Sequence, residues 1–153
     1  MKEKKEAKIW YLAALHVVAA GIVIPMLASI VFAIVAVVSS PFLITLTGID
    51  VLAPAVVGYE IVLGVVILAA VFFGARYSIY NMRKYYLVTN LEAVIRFSVI
   101  MLVVLASVSF LFDIFFPDPE YVLTSTQAAI EIGQTIILIV VFYLASKMEL
   151  DKK

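Results

Sequence analysis

Glu60 and Glu131 each lie well inside a run of residues apolar enough to cross a bilayer. An ionised carboxylate alone in hydrocarbon costs at least about 3 kcal/mol, so each must be protonated, hydrogen-bonded, wetted or paired. A carboxyl group held in that way can exchange a proton or coordinate a cation, which is the chemistry of proton- or cation-coupled transport. Gln127 and Gln134 stand one turn to either side of Glu131 and share its helical face. Such a stripe must turn away from lipid, and the two amides are placed to orient the carboxyl or to share a bound cation. The bland reading is an interhelical hydrogen-bond cluster that only specifies packing.

Two other polar residues interrupt the apolar runs. Arg96 follows Glu92 by one turn, so the two are expected to pair on the helix surface, with the arginine snorkelling to the nearby interface. A gate is the sharper alternative for it. His16, the one histidine, lies two turns inside Lys8. It suits either a hydrogen bond to a neighbour or a place in a proton relay. Asp113 and Asp118 read as a solvated acidic rim and a helix cap.

Other chemistries are excluded by composition. The chain has no cysteine, which rules out disulfides, thiolate zinc sites and iron–sulfur clusters, and one histidine cannot make a bis-histidine haem. No cofactor is expected. A formal net charge of zero supplies no basic field for nucleic acid, and no phosphate loop, metal motif or potassium-type filter is present.

Hydrophobic residues make up 65% of the 153 positions, more apolar surface than a soluble core of this size hides. The expected fold is an all-α integral membrane four-helix bundle. Its first span covers residues 9–38, a run that would be about 45 Å long as one helix and so must tilt or bend. Pro25, lacking an amide hydrogen, predicts a kink, and Trp10 and Tyr11 predict an interfacial anchor. A cleavable signal is a poor fit, because its apolar region runs only about 7–15 residues. Ser39, Ser40 and Pro41 predict the helix end, with the apolar stretch after them lying across the outer interface and Asp50 capping the next helix. The second span is expected over 51–76, continuing into a Tyr- and Arg-rich cytoplasmic connection at 77–90. The third span is expected over 91–116. The fourth, over 121–146, would be capped by Asp118 with Pro119 in its first turn.

With four crossings, Lys2, Lys4, Lys5, Lys8, Arg76, Arg83, Lys84, Lys147, Lys152 and Lys153 fall on one side, and neither opposite loop holds a lysine or arginine. Both termini are therefore expected in the cytoplasm, with the cell membrane as the expected location. Sliding the chain by 71 residues pairs Glu60 with Glu131 and Arg76 with Lys147 without a gap. That register suggests two parallel helical-hairpin repeats, although the first helix of each half matches poorly. Gly64, and Ala70 with Gly74, mark faces where helices can approach closely.

Three functions fit these features. The first is a small proton- or cation-coupled transporter or channel using Glu60 and Glu131, with Gln127 and Gln134 beside them. The second is a non-catalytic accessory subunit of a larger membrane complex. The third is a membrane enzyme acting on lipid or quinone, for which no catalytic group is recognisable. Four short spans enclose little room, so association with copies of itself or with other membrane subunits is expected, in addition to the lipid bilayer.

Overall fold

The computed structural model of the chain describes residues 5–47, 57–88, 90–116 and 125–152. Four helical spans dominate it, each long and apolar enough to cross a membrane. The first is composite: α1 (Ile9–His16) runs into a π-helical segment (Val17–Val23) and then α2 (Ile24–Thr47). The others are α3 (Val57–Tyr85), α4 (Leu91–Phe115) and α5 (Ser125–Leu150).

The π-helical segment abuts Pro25, where the sequence calls for a kink, and its wider turn moves the carbonyl that lacks a donor back by one residue, from Gly21 to Ala20. Ile24 donates its amide to Ala19, one residue further back than in an α-helix. Pro25 has no amide hydrogen to offer. The Ala20 carbonyl is thereby left without a donor at either the α or the π position.

Pro41 does not end the helix as expected; α2 continues through it to Thr47. A proline within a helix frees one carbonyl, here that of Val37, whereas a break would free several; the hydroxyls near the two prolines bond other carbonyls. Ser29 donates to the Pro25 carbonyl at 2.9 Å, Ser39 to Ala36 at 3.3 Å and Thr45 to Pro41 at 2.8 Å. The segment expected to lie across the outer interface is therefore helical up to Thr47. The caps proposed for Asp50 and Asp118, and the role given to Pro119, fall outside the described residues.

At the opposite end of α3 the helix continues past Arg76 to Tyr85, taking up most of the expected connection. Tyr86–Leu87 then forms a short strand, β2, parallel to β1 (Lys5–Glu6), with Lys5 opposite Tyr86. Asn90 starts α4 by accepting the Ala93 amide at 2.9 Å, and Glu92 in the first turn suits the positive end of the helix dipole. The fourth span runs four residues beyond the expected end at 146, to Leu150.

Packing is uneven along the bundle. Leu12, Ala13, Ile79, Met82, Val94 and Ile95 form one buried cluster near the end that carries the cations, and Ala20, Val71, Ala75, Phe142 and Ala145 form a second next to it. Toward the other end fewer side chains are buried, and Val31, Val38, Ile61, Val104 and Phe115 are exposed. Gly74 permits the closest approach: a Cβ there would come within 3.1 Å of the Ile24 side chain and 3.4 Å of the Ala20 Cα. Gly64, expected to serve similarly, has nothing within 4 Å of where its Cβ would be.

Candidate functional site

Glu131 sits on the looser half of α5 and is half-buried. It lines a cleft of about 490 Å³ between α4 and α5, together with Ser107, Ser109 and Asp113 from α4 and Thr135 from its own helix. The remaining lining side chains are apolar; of the five polar ones Glu131 and Thr135 are half-buried, and Ser107, Ser109 and Asp113 are exposed. Position along the hairpin explains the grouping: α4 and α5 are antiparallel neighbours, and residues equally far from their connection stand at the same level. Ser109 therefore stands level with Glu131, and Asp113 lies about one turn nearer the connection.

Glu60 does not share this cleft. It is exposed on the first turn of α3, and Gln127 and Gln134 are exposed on α5 outside the cleft lining. Asp113 is the second carboxylate of the cleft lining; it is exposed near the end of α4, on the rim where the sequence reading put it.

A second cavity of about 300 Å³ lies deeper, against Gly21, Pro25, Val71, Leu102 and Phe142. It shares Ala106, Thr135 and Ile139 with the outer cleft, so Thr135 is the polar group at the junction of the two. The inner cavity touches the first span where the helical ladder is interrupted.

His16 is fully buried between α1 and α5, with Nε2 2.9 Å from Ser146 Oγ. Ser146 also lies 2.7 Å from the Phe142 carbonyl, to which its hydroxyl donates. The single hydroxyl hydrogen is then committed, so Nε2 carries the imidazole proton and donates to Ser146; this tautomer is assigned from the network. The imidazole also packs on the Phe142 ring at 4.5 Å. Among the described residues Nδ1 has no hydrogen-bond partner. The hydrogen bond to a neighbour expected for this histidine is present.

The cations form a separate layer at the tightly packed end. Arg96 Nη2 pairs with Glu92 Oε1 at 3.0 Å, one turn apart as expected, and Lys147 approaches the same carboxylate at 3.6 Å. Glu149, largely buried, holds Arg76 and Lys152, each at 3.1 Å. Arg83 donates to the carbonyls of Glu149, Leu150 and Lys152 at 2.7 to 2.9 Å, closing the C-terminal end of α5 where a cation also suits the dipole. Sequence reading missed the Glu149 and Arg83 contacts, because they join residues far apart in the chain. Arg96 belongs to this ionic layer and lies about 16 Å along α4 from Ser107, judged by helical rise.

Comparison with protein-family models, with curated proteins and with solved structures finds no match. Among the described residues no group of three or more metal-ligating side chains comes together.

Proposed function

We propose that the chain is a multi-pass protein of the cell membrane, with both termini in the cytoplasm, that carries protons or small cations through the cleft bearing Glu131 and Asp113. The observation that carries this reading is the half-buried Glu131 lining a cleft with Asp113, Ser107, Ser109 and Thr135 in an otherwise apolar half of the bundle. Carboxyl groups with hydroxyls beside them are able to coordinate a cation or to pass a proton. Either exchange couples occupancy of the cleft to charge. The hydroxyls of Ser107, Ser109 and Thr135 supply neutral oxygens beside the carboxylates.

At the cation-bearing end the buried clusters and the Glu149 ion pairs close the bundle, while the cleft opens on the exposed side of α4 and α5. Passage requires the packed end to open or a pathway to form between copies, and a homo-oligomer is part of the proposal. The 71-residue repeat belongs to the same reading: Arg76 and Lys147, aligned by that shift, both stand in the ionic layer and each pairs with a glutamate.

The test is reconstitution of the purified chain in liposomes with a proton or cation gradient. Wild-type protein should dissipate the gradient, and Glu131→Gln should abolish that flux; an unchanged flux in the variant removes Glu131 from the mechanism. The second reading is an accessory subunit of a larger membrane assembly. It is favoured by the exposed apolar side chains of α4 and α5 at the acidic end, among them Val104, Val108, Ile132 and Ile136. A protein of that kind would copurify with larger partners from native membranes and carry no flux alone.

A further inference from the structure

One face of α3 is exposed along the length of the span. Val62, Val65, Phe73, Tyr77, Tyr80 and Lys84 follow one another at helical spacing, and all are exposed. From Val62 to Lys84 this stripe extends about 33 Å, close to the hydrocarbon thickness of a bilayer. Its chemistry changes in one direction only, from aliphatic to aromatic to cationic, and the cation lies at the end where the other cations gather.

Lys84 differs from its neighbours in that layer. Arg76, Arg83, Arg96, Lys147 and Lys152 are each held by a carboxylate or a backbone carbonyl. The Lys84 ammonium instead lies over two rings, 5.9 Å from the centre of Tyr80 and 5.3 Å from that of Tyr85. Among the described residues no carboxylate is within ion-pair distance of it. The ring faces restrain the ammonium without neutralising it, which leaves its hydrogens for an external anion. The segments 1–8, 76–96 and 147–153 together hold eleven cations against five carboxylates, so the local field also favours an anion.

We infer that this face of α3 is a binding site for an anionic phospholipid of the leaflet on the cation-bearing side. The phosphate group is held by Lys84 and by the hydroxyls of Tyr77 and Tyr80, and an acyl chain lies along Phe73 toward Val65. The tyrosines are suited to this position, since their rings sit at headgroup depth with one apolar and one wet end. A zwitterionic lipid fits the apolar stripe equally well, but its own ammonium group offsets the attraction at Lys84. The inference rests on the membrane reading above and is independent of transport.

Native mass spectrometry of the full chain in detergent, titrated separately with phosphatidylglycerol and phosphatidylcholine, tests it. The wild type should retain phosphatidylglycerol about five-fold better, the effect expected of one lysine near a charged surface. Lys84→Gln should reduce phosphatidylglycerol retention to the phosphatidylcholine level, and Tyr80→Leu should reduce it partly. Lys8→Gln, altering an exposed lysine at the same end that lies over no ring among the described residues, should leave it unchanged. Equal retention of the two lipids, or equal losses in the Lys84 and Lys8 variants, overturns the site in favour of diffuse charge. An acidic protein partner bound at Lys84 with no lipid preference also overturns it. Failure of the membrane reading would appear separately, as protein that does not float with liposomes in a density gradient.

Discussion

His16 Nε2 and Ser146 Oγ, 130 residues apart, meet at 2.9 Å and join the start of the first span to the end of the last. The contact is fully buried and sits beside Phe142, where the two hydrophobic clusters adjoin. His16→Ala should cost about 3 kcal/mol of stability, since it empties an aromatic-sized space in a packed region as well as removing the bond. Ser146→Ala removes only the hydroxyl and should cost about 1 kcal/mol, in the range of interhelical hydrogen bonds within membranes. Unfolding of the detergent-solubilised protein by graded denaturing detergent measures both, and equal losses would contradict the packing role given to the imidazole.

The two carboxylates in the ionic layer should respond differently to removal. Glu149 is largely buried and holds two cations, with its side chain 10% exposed, whereas the Glu92 side chain is 47% exposed and its partner Arg96 71% exposed. Removing a buried acceptor strands the cations around it, while an exposed pair is screened by water and contributes little. Glu149→Ala should therefore lower the thermal unfolding midpoint by several degrees, and Glu92→Ala should leave it nearly unchanged.

Two glycines on α3 make opposite predictions. At Gly64 a methyl group meets nothing, so Gly64→Ala should be neutral or raise stability by about 0.5 kcal/mol through reduced backbone freedom of the unfolded chain. At Gly74 a Cβ already crowds Ile24, so Gly74→Val should destabilise by about 1 to 3 kcal/mol through overpacking. Unfolding curves for the two variants separate the cases, and a tolerated valine at 74 would show that α2 can move away from α3.

The absence of native cysteine makes sidedness directly measurable. Lys84→Cys and Phe116→Cys each place one thiol in an otherwise thiol-free chain, at opposite ends of the bundle. In intact cells an impermeant maleimide should label position 116 and spare position 84 until the membrane is opened. The reverse pattern would place the cations outside, against the usual charge bias.

What was legible in the sequence was local. The four spans follow from unbroken apolar runs, and the Glu92–Arg96 pair follows from a one-turn spacing that any helix brings together. The interruption at Pro25 was legible as well, because an absent amide hydrogen is a property of the residue itself. Pro41 misled because a proline removes a single hydrogen bond from the helical ladder, which the apolar run on either side of it outlasts. Partners across helices were not legible. Glu131 could have faced α3 or α4, and apolar stripes around α5 do not distinguish them, so matching depths along the chain suggested Glu60, whereas the cleft that Glu131 lines holds Asp113 instead.

That choice of partner leads to the sharpest functional expectation. If the cleft between α4 and α5 is the working site, Asp113→Asn should depress flux in liposomes nearly as far as Glu131→Gln, because each removes one of the two carboxyl groups that answer to the same cation or proton. Glu60→Gln, altering an exposed residue outside the cleft, should leave flux close to wild type. Thr135→Val preserves shape while removing the hydroxyl at the junction of the two cavities, and should slow flux without abolishing it. A loss confined to the Glu60 variant would point instead to a pathway along α3, built between copies of the chain, with the α4–α5 cleft serving only as a packing feature.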